Sequence, residues 1–100
     1  MKNKKERVYA ILINLDTEAL GQYYDNPQAD INNILSSYGF TCEKNNLYLG
    51  SQETNAVTCV LAIQHLTKKL PQLSIFLKNI QMLRIEEIND LMPVVYKNKL

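Results

Sequence analysis

The segment Arg7–Asp16 (RVYAILINLD) constrains the fold of this chain more than any other stretch. Its six consecutive apolar residues, followed by polar Asn14 and Asp16, predict a β-strand that runs into a loop. Successive side chains of a strand point to opposite faces, and here both faces are apolar as far as Asn14. Because both faces must then be covered, the segment is predicted to be a central strand. Asn14 and Asp16 are expected where the C-terminal end of this strand opens to solvent.

The composition is that of a small globular protein. The chain has 100 residues, of which 46% are hydrophobic and 21% charged, which fits one domain and excludes a disordered chain. We predict a single domain over residues 1–100, with a basic N-terminal tail at 1–6 and a C-terminal tail at 97–100. The formal net charge of +1 gives no overall nucleic-acid signature, so any such site must be a local patch.

The cysteines and the hydropathy pattern favour the cytoplasm. Cys42 and Cys59 fall in different predicted elements without metal-type spacing, so free thiols are favoured over a disulfide. No stretch approaches the length of a membrane span. The short apolar run after the basic start also lacks the cleavage site of a signal peptide. We therefore expect a cytoplasmic protein that makes no membrane contact.

Periodicity and turn signals divide the rest of the chain into helices and strands. Apolar residues recur with helical spacing before Gly39 and again after Asn55, and the intervening asparagines suit a hairpin turn. The predicted elements after the first strand are helices Thr17–Tyr24, Pro27–Tyr38, Ala56–Leu70 and Leu73–Leu77, and strands Phe40–Glu43, Leu47–Leu49, Ile80–Ile85 and Leu91–Tyr96. The last strand is expected at a sheet edge because it contains Pro93.

This order of elements predicts an α+β, ferredoxin-like βαββαβ sandwich with an additional C-terminal strand. In that fold the helices cover one face of an antiparallel sheet and leave the other face open. The first strand is apolar on both faces, so something must also cover the open one. A second copy of the chain is the simplest candidate, and a homodimer is therefore predicted.

Specific strings, in this order, resemble the virulence-associated protein D (VapD) family. The family begins with a strand of the form YAIAFDL, which Tyr9–Leu15 (YAILINL) matches. The other similar strings are Tyr38–Phe40, Asn46–Gly50, Asn55–Ala62, Met82–Glu87 and Asn89–Pro93. The similarity extends in order from about Tyr9 to Val94.

The resemblance implies a dimeric ferredoxin-like fold, akin to the small CRISPR-associated adaptation subunit, and an endoribonuclease activity. In some systems such proteins are the toxin of a toxin–antitoxin pair. RNA is then the implied substrate, and an antitoxin protein is an implied partner. No organic cofactor is implied, and no motif supports a divalent metal such as Mg²⁺. The alternative is a catalytically degenerate relative that binds RNA or a protein as a dimer.

Three functional positions of the family are asparagines in this chain. Asn14 stands where the family carries a strand-end aspartate, Asn46 replaces a serine, and Asn79 stands where a D-I-R string begins. An asparagine can orient a hydroxyl or a phosphate, but it cannot accept a proton at physiological pH. Asn14 is either a natural divergence or an engineered change that silences a toxic enzyme.

The resemblance and the strand pattern together predict a catalytic set made up of Asn14, Asp16, Asn46, Tyr48 and Asn79. Asp16 lies two residues beyond Asn14, where it could be a displaced base or, in the favoured interpretation, the N-cap of a helix. Tyr48 could contact a phosphate or stack on a base, whereas packing on the sheet is the favoured alternative.

The candidate nucleic-acid contacts are the cations Arg7, Lys44 and Arg84. An ion pair with Glu86 is favoured for Arg84 over a phosphate contact. The only histidine, His65, is expected to be solvated on the polar side of its helix.

Overall fold

The computed structural model describes residues 8–43 and 46–97. This part of the chain contains four strands and five helices, in the order β1-α1-α2-β2-β3-α3-α4-β4-α5. The strands are β1 (Val8–Leu15), β2 (Thr41–Cys42), β3 (Leu47–Leu49) and β4 (Leu77–Ile85). The helices are α1 (Thr17–Leu20), α2 (Pro27–Ser36), α3 (Ala56–Lys69), α4 (Leu73–Phe76) and α5 (Met92–Lys97).

The four strands form one antiparallel sheet in the order β2-β3-β1-β4. This order and these directions are those of a ferredoxin-like α+β fold, which confirms the predicted fold class. β1 lies inside the sheet between β3 and β4, as its doubly apolar sequence predicted.

Cross-strand partners assign each residue of β1 to one face of the sheet. Ile11 pairs with Tyr48 of β3 and with Met82 of β4, and Ile11 and Tyr48 are buried under the helices. The core of this face is completed by α2 and α3, which contribute Ile31, Leu35, Cys59, Ala62 and Leu66.

The opposite face of the sheet is also apolar, but it is not part of that core. On it lie Val8, Ala10, Leu12 and their partners Leu47, Leu49, Leu83 and Ile85, none of which belongs to the helix-covered cluster. Apart from the central Ala10, which is fully buried, these side chains are partly exposed. We call this surface the open face.

Local signals explain where the main helices begin. The Asn26 side chain accepts a hydrogen bond from the backbone nitrogen of Ala29 at 3.2 Å, and Pro27 occupies the first turn of α2. Asn55 and Thr58 form a reciprocal capping box at the start of α3. The second helix was expected to run to Tyr38, with Gly39 directly after it, but α2 ends at Ser36, and Gly39, with a φ of 92°, lies in the turn that follows.

The prediction of a C-terminal strand over Leu91–Tyr96 is wrong, because Met92–Lys97 is the helix α5. The carboxylate of Asp90 accepts a hydrogen bond from the backbone nitrogen of Met92 at 3.0 Å, as an N-terminal cap does. Pro93 then lies in the first turn, where a proline is tolerated because its missing N–H would have no helical partner. An Asp-x-x-Pro pattern was therefore the overlooked helix signal.

Several other predicted boundaries also moved, two of them by three residues or more. The first helix ends at Leu20 rather than Tyr24, since Gly21 begins a turn there. β4 begins at Leu77, three residues before the predicted start, because the chain passes directly from α4 into the strand.

Candidate functional site

Two of the three asparagines of the predicted site are joined directly, and the third is the cross-strand partner of one of them. Asn46 Nδ2 donates a hydrogen bond to Asn14 Oδ1 at 2.6 Å. Asn79 of β4 is the register partner of Asn14. The backbone nitrogen of Ile13 donates to the carbonyl oxygen of Asn46 at 2.9 Å, which holds the start of β3 against the end of β1. We call Asn14, Asn46 and Asn79 the strand-end cluster.

A β-bulge borders this cluster. Asn14 pairs with Asn79 but Leu15 pairs with Leu77, so Lys78 is an extra residue on β4. Bulges bend a strand and are common beside functional sites. Lys78 is exposed and directly precedes Asn79 in the chain, and the alternation of apolar residues alone did not predict a bulge at this position.

The strand-end cluster can bind but has no proton acceptor of its own. Its three side chains are neutral amides, which offer hydrogen-bond donors to a phosphate and carbonyl oxygens to a hydroxyl. The Asn46–Asn14 hydrogen bond uses one amide hydrogen of Asn46 and the amide oxygen of Asn14, and it leaves the other hydrogen of Asn46 and both amide hydrogens of Asn14 for a ligand. A tight Mg²⁺ site requires carboxylates, which these three residues do not supply.

Asp16 caps a helix, as the favoured interpretation predicted. Its Oδ1 accepts a hydrogen bond from the backbone nitrogen of Ala19 at 3.1 Å, and its own nitrogen donates to the carbonyl oxygen of Phe76 at 3.0 Å. The side chain is exposed and satisfies a donor in the first turn of α1. The hydrogen bond from Ala19 therefore holds the Asp16 carboxylate at the first turn of α1.

Tyr48 lies on the opposite side of the sheet from the open face. It is 2% exposed and its phenol contacts α2, where Gln28 Nε2 donates to Tyr48 Oη and Tyr48 Oη donates to Asn32 Oδ1, both at 2.6 Å. Gln28 also donates to Asn32 at 2.9 Å, which closes a triangle of hydrogen bonds. The structure therefore does not bring Tyr48 together with Asn14, and it gives the phenol structural partners.

Burial raises the pKa of Tyr48 to about 12, and the nearby Cys42 thiol adds to the increase. The hydrogen bond from Gln28 acts in the opposite direction. A phenol with this pKa stays protonated at neutral pH, so it is poorly suited to act as a general base.

The raised pKa predicts a loss of stability at alkaline pH. The unfolded chain releases the Tyr48 proton near its ordinary pKa of 10.0, whereas the folded chain keeps it to about pH 12. Between these values the native state binds more protons than the unfolded state, so the free energy of unfolding falls as the pH rises. Urea denaturation at pH 9, 10 and 11 should show a steeper decline for the wild type than for Tyr48→Phe. Parallel declines would contradict the assignment to Tyr48.

Arg84 lies away from the strand-end cluster. It is the cross-strand partner of Tyr9, so it occupies the other face of the sheet, toward the opposite end of β4. Its Nη2 lies 3.9 Å from Glu86 Oε2, and both side chains are exposed, which confirms the predicted ion pair. An exposed pair of this kind contributes little to stability. The other two candidate cations, Arg7 and Lys44, lie outside the described residues.

The prediction for His65 requires correction. Its side chain is half-buried, and its Nδ1 lies 3.0 Å from Tyr38 Oη, within hydrogen-bond distance. The polar side of α3 is therefore not uniformly solvated, because the end of α2 and the following turn cover part of it. Nothing in the spacing of α3 alone indicated this partner, since Tyr38 belongs to another element.

The described residues contain neither a metal-binding group nor a membrane-spanning helix. Across residues 8–43 and 46–97, no three histidine, cysteine, aspartate or glutamate side chains gather into a metal-binding group. Within the same residues no helix could cross a bilayer, and the longest, α3, has 14 residues.

Comparison with known proteins identifies the relatives of this chain. No family model matches it. A protein of Riemerella anatipestifer, Endoribonuclease VapD 2, is 43% identical over 93 residues, which cover 88% of this chain and 99% of the relative. The Endoribonuclease VapD homolog of Helicobacter pylori (strain ATCC 700392 / 26695) is 37% identical over 91 residues, or 88% of this chain and 96% of the relative. With identity at this level over nearly the whole length of both relatives, the chain belongs to the VapD family.

Proposed function

We propose that this protein is an RNA-directed endoribonuclease of the VapD type whose cleavage step is weak in the sequence as it stands. The observation that carries the proposal is the 43% identity, over 99% of its length, to a relative named as an endoribonuclease. The strand-end cluster is the proposed site, since three positions of the family resemblance meet there. RNA is the proposed substrate and the cytoplasm the proposed compartment.

The proposed chemistry is an internal transfer at the RNA phosphate. It requires activation of the 2′-hydroxyl, stabilisation of the charged phosphorane and protonation of the leaving oxygen. The amides of the cluster suit the second task, because they can donate hydrogen bonds to phosphate oxygens, and Lys78 is a nearby cation. The first task lacks a carboxylate, which is the physical reason for the weak cleavage that we propose.

A specific observation also favours a second function, that of a binding protein without cleavage. Asn14 and Asn46 are hydrogen-bonded to each other, and no member of the strand-end cluster is ionisable. Such a site can hold a phosphate or a hydroxyl without performing proton transfer. A degenerate relative of this kind would bind RNA or a protein partner as a dimer.

The test is an assay of labelled single-stranded RNA with the purified protein, with and without Mg²⁺, beside the Asn14→Asp variant. Slow cleavage that the variant accelerates supports the endoribonuclease. Tight RNA binding without cleavage in both proteins supports the binding function instead. An RNA that neither binds nor is cleaved contradicts both proposals.

We further propose a role as the toxin of a toxin–antitoxin pair, with no organic cofactor. Induced expression of Asn14→Asp in a bacterial host should arrest growth, whereas the wild type should slow it less. The reason is that growth arrest would follow from RNA cleavage, which the variant restores. Equal growth of cells that express the two proteins at equal levels would contradict the toxin role.

We also propose that the protein is a homodimer assembled through the open face. The supporting feature is a row of partly exposed apolar side chains on that face, and the C-terminal segment that contains α5 exposes further apolar residues. Leu91, Val95 and Tyr96 are 67%, 57% and 63% exposed. A row of exposed apolar side chains on one face of a small protein typically marks an interface.

The dimer is tested by light scattering at low micromolar concentration, where twice the chain mass is expected. Leu12→Glu places a charge at the centre of the open face and should give monomers. The matched control, Val57→Glu, adds the same charge at an exposed position of α3 and should leave the dimer intact. A monomeric wild type would exclude this assembly.

A further inference from the structure

A groove on the outer surface of α3 carries polar and basic groups that the strand-end cluster does not use. It has a volume of about 810 Å³ and is open to solvent. Leu61, Gln64, His65 and Lys68 line it from α3, and Tyr38 closes one side. We call it the Tyr38–Lys68 groove.

The Tyr38–His65 pair gives this groove a defined shape. The phenol oxygen lies 3.0 Å from His65 Nδ1, and the two rings meet edge to face with centroids 5.7 Å apart. Both side chains are half-buried, so each limits the rotation of the other. A histidine held through one ring nitrogen presents the other nitrogen in a fixed orientation.

The spacing along α3 places complementary groups beside this pair. Positions 61, 64, 65 and 68 recur every three or four residues, so they lie along one side of the helix. Leu61 is 49% exposed and supplies an apolar wall, Gln64 supplies an amide and Lys68 a cation. None of the seven side chains that line the groove is acidic.

These groups match the parts of one nucleotide. A base requires an apolar or aromatic surface for its face and hydrogen-bond partners for its edge. A phosphate requires a cation and N–H donors. In the Tyr38–Lys68 groove, Tyr38, Leu61 and Gln64 offer what a base requires. Lys68 and His65 offer what a phosphate requires.

The neighbouring grooves do not offer this combination. The groove between α3 and β4 is lined by Ile11, Val60, Ile80 and Met82 among others, and none of its lining residues is charged. The groove between α2 and α3 contains Lys69 together with Asp30, whose carboxylate would repel a phosphate. Lys69 therefore carries the same charge as Lys68 and lies on the same helix, but an acidic residue lines its groove, whereas none lines the groove of Lys68.

We propose that the Tyr38–Lys68 groove binds a nucleotide of single-stranded RNA and so forms a second substrate contact, separate from the strand-end cluster. This inference rests on the proposed function, since it assumes that RNA is the substrate. The base lies against Leu61 and Tyr38, and the adjoining phosphate contacts Lys68 and His65. The groove contributes affinity for the RNA strand and takes no part in the chemical step.

Two matched pairs of variants test the groove. Fluorescence anisotropy with a labelled single-stranded RNA, in EDTA, measures binding without metal-dependent cleavage. Lys68→Gln should weaken binding several-fold and reduce the slope of log affinity against log salt by about 0.7, the loss of one phosphate contact. Lys69→Gln should change neither. Leu61→Glu should weaken binding at least tenfold, whereas Val57→Glu, one turn earlier on α3 and outside the groove, should not.

The outcomes separate the groove from the proposed function. If the wild type binds RNA, and Lys68→Gln and Leu61→Glu bind it as strongly as Lys69→Gln and Val57→Glu do, the groove is not an RNA contact. The endoribonuclease proposal stands in that case. Absence of RNA binding by the wild type would overturn both. All four substitutions fall at exposed positions, so circular dichroism melts should coincide with that of the wild type. His65→Gln completes the test and should bind the RNA more weakly than the wild type. An unchanged affinity would contradict the contact between His65 and the phosphate.

Discussion

Asn14→Asp is expected to raise the ribonuclease activity of this protein by roughly a hundred- to ten-thousand-fold, the usual effect of one positioned general base. The fold should tolerate the change because Asn14 uses its oxygen, Oδ1, to accept the hydrogen bond from Asn46. A carboxylate oxygen accepts the same bond. What the substitution adds is a group that can take the proton from a 2′-hydroxyl. Initial rates of cleavage of a labelled RNA measure the effect.

Two controls locate the gained activity. Asp16→Asn removes a carboxylate two residues from Asn14 but keeps a side-chain oxygen that can cap α1, so it should change neither the stability nor the cleavage rate appreciably. Asn46→Ala in the Asn14→Asp background should reduce the gain, because the carboxylate loses the donor that orients it. Brisk cleavage by the wild type, unchanged by Asn14→Asp and by Asp16→Asn, would place the site elsewhere on the molecule.

A double variant extends the same reasoning to metal dependence. Asn14 and Asn79 are cross-strand partners, and the Cα atoms of such partners lie about 4.5–5.5 Å apart. Aspartates at both positions would form a pair of carboxylates that suits a divalent cation. The double variant should therefore show stronger Mg²⁺ dependence than Asn14→Asp alone. Equal dependence would mean that the two side chains do not act together.

Tyr48→Ala is expected to destabilise the protein by about 3–5 kcal/mol, because it leaves a large cavity under α2. The ring is almost fully buried between β3 and that helix, with its phenol bonded to Gln28 and Asn32. Tyr48→Phe keeps the ring and removes only the hydroxyl, so its expected cost is about 1–2 kcal/mol. Thermal and urea denaturation measure both values.

The same two variants decide whether Tyr48 has a catalytic role. Because the phenol lies on the face away from the strand-end cluster, Tyr48→Phe should cleave RNA at the wild-type rate below its melting temperature. Gln28→Ala is a useful comparison, since it removes one partner of the phenol and should destabilise the fold to a similar extent. Loss of cleavage in Tyr48→Phe, with stability retained, would restore Tyr48 to the catalytic set.

Much of the fold could be predicted from local patterns. The doubly apolar run around Ile11 predicted the central strand, and the order of periodic segments predicted the ferredoxin-like arrangement, since each pattern reflects burial of a continuous element. The C-terminal segment was misassigned because its apolar composition outweighed the helix-starting signals of Asp90 and Pro93. Apolar residues alone do not distinguish an edge strand from a short helix.

The sequence indicated which residues belong to the candidate site but not how they are arranged in three dimensions. Family strings pointed separately to Asn14, Asn46 and Asn79, and the sheet register brought these three together. The same strings pointed to Tyr48, which lies two residues from Asn46. Residues two apart on a strand share a face, but Asn46 precedes β3 and its side chain reaches Asn14, so the alternation of the strand does not extend to it. The cross-strand register placed Tyr48 with Ile11 in the core.

Residue types and near neighbours alone were enough to predict the four strands of the sheet, the main helices, the family and the absence of a carboxylate at Asn14, but not the C-terminal helix. The partners of Tyr48 and His65 follow from the packing of the elements, because Asn32 and Tyr38 reach these side chains from other parts of the chain. A hydrogen bond such as Tyr38–His65 joins residues 27 positions apart. Such contacts depend on how α2 and α3 pack over the sheet, which no local pattern records.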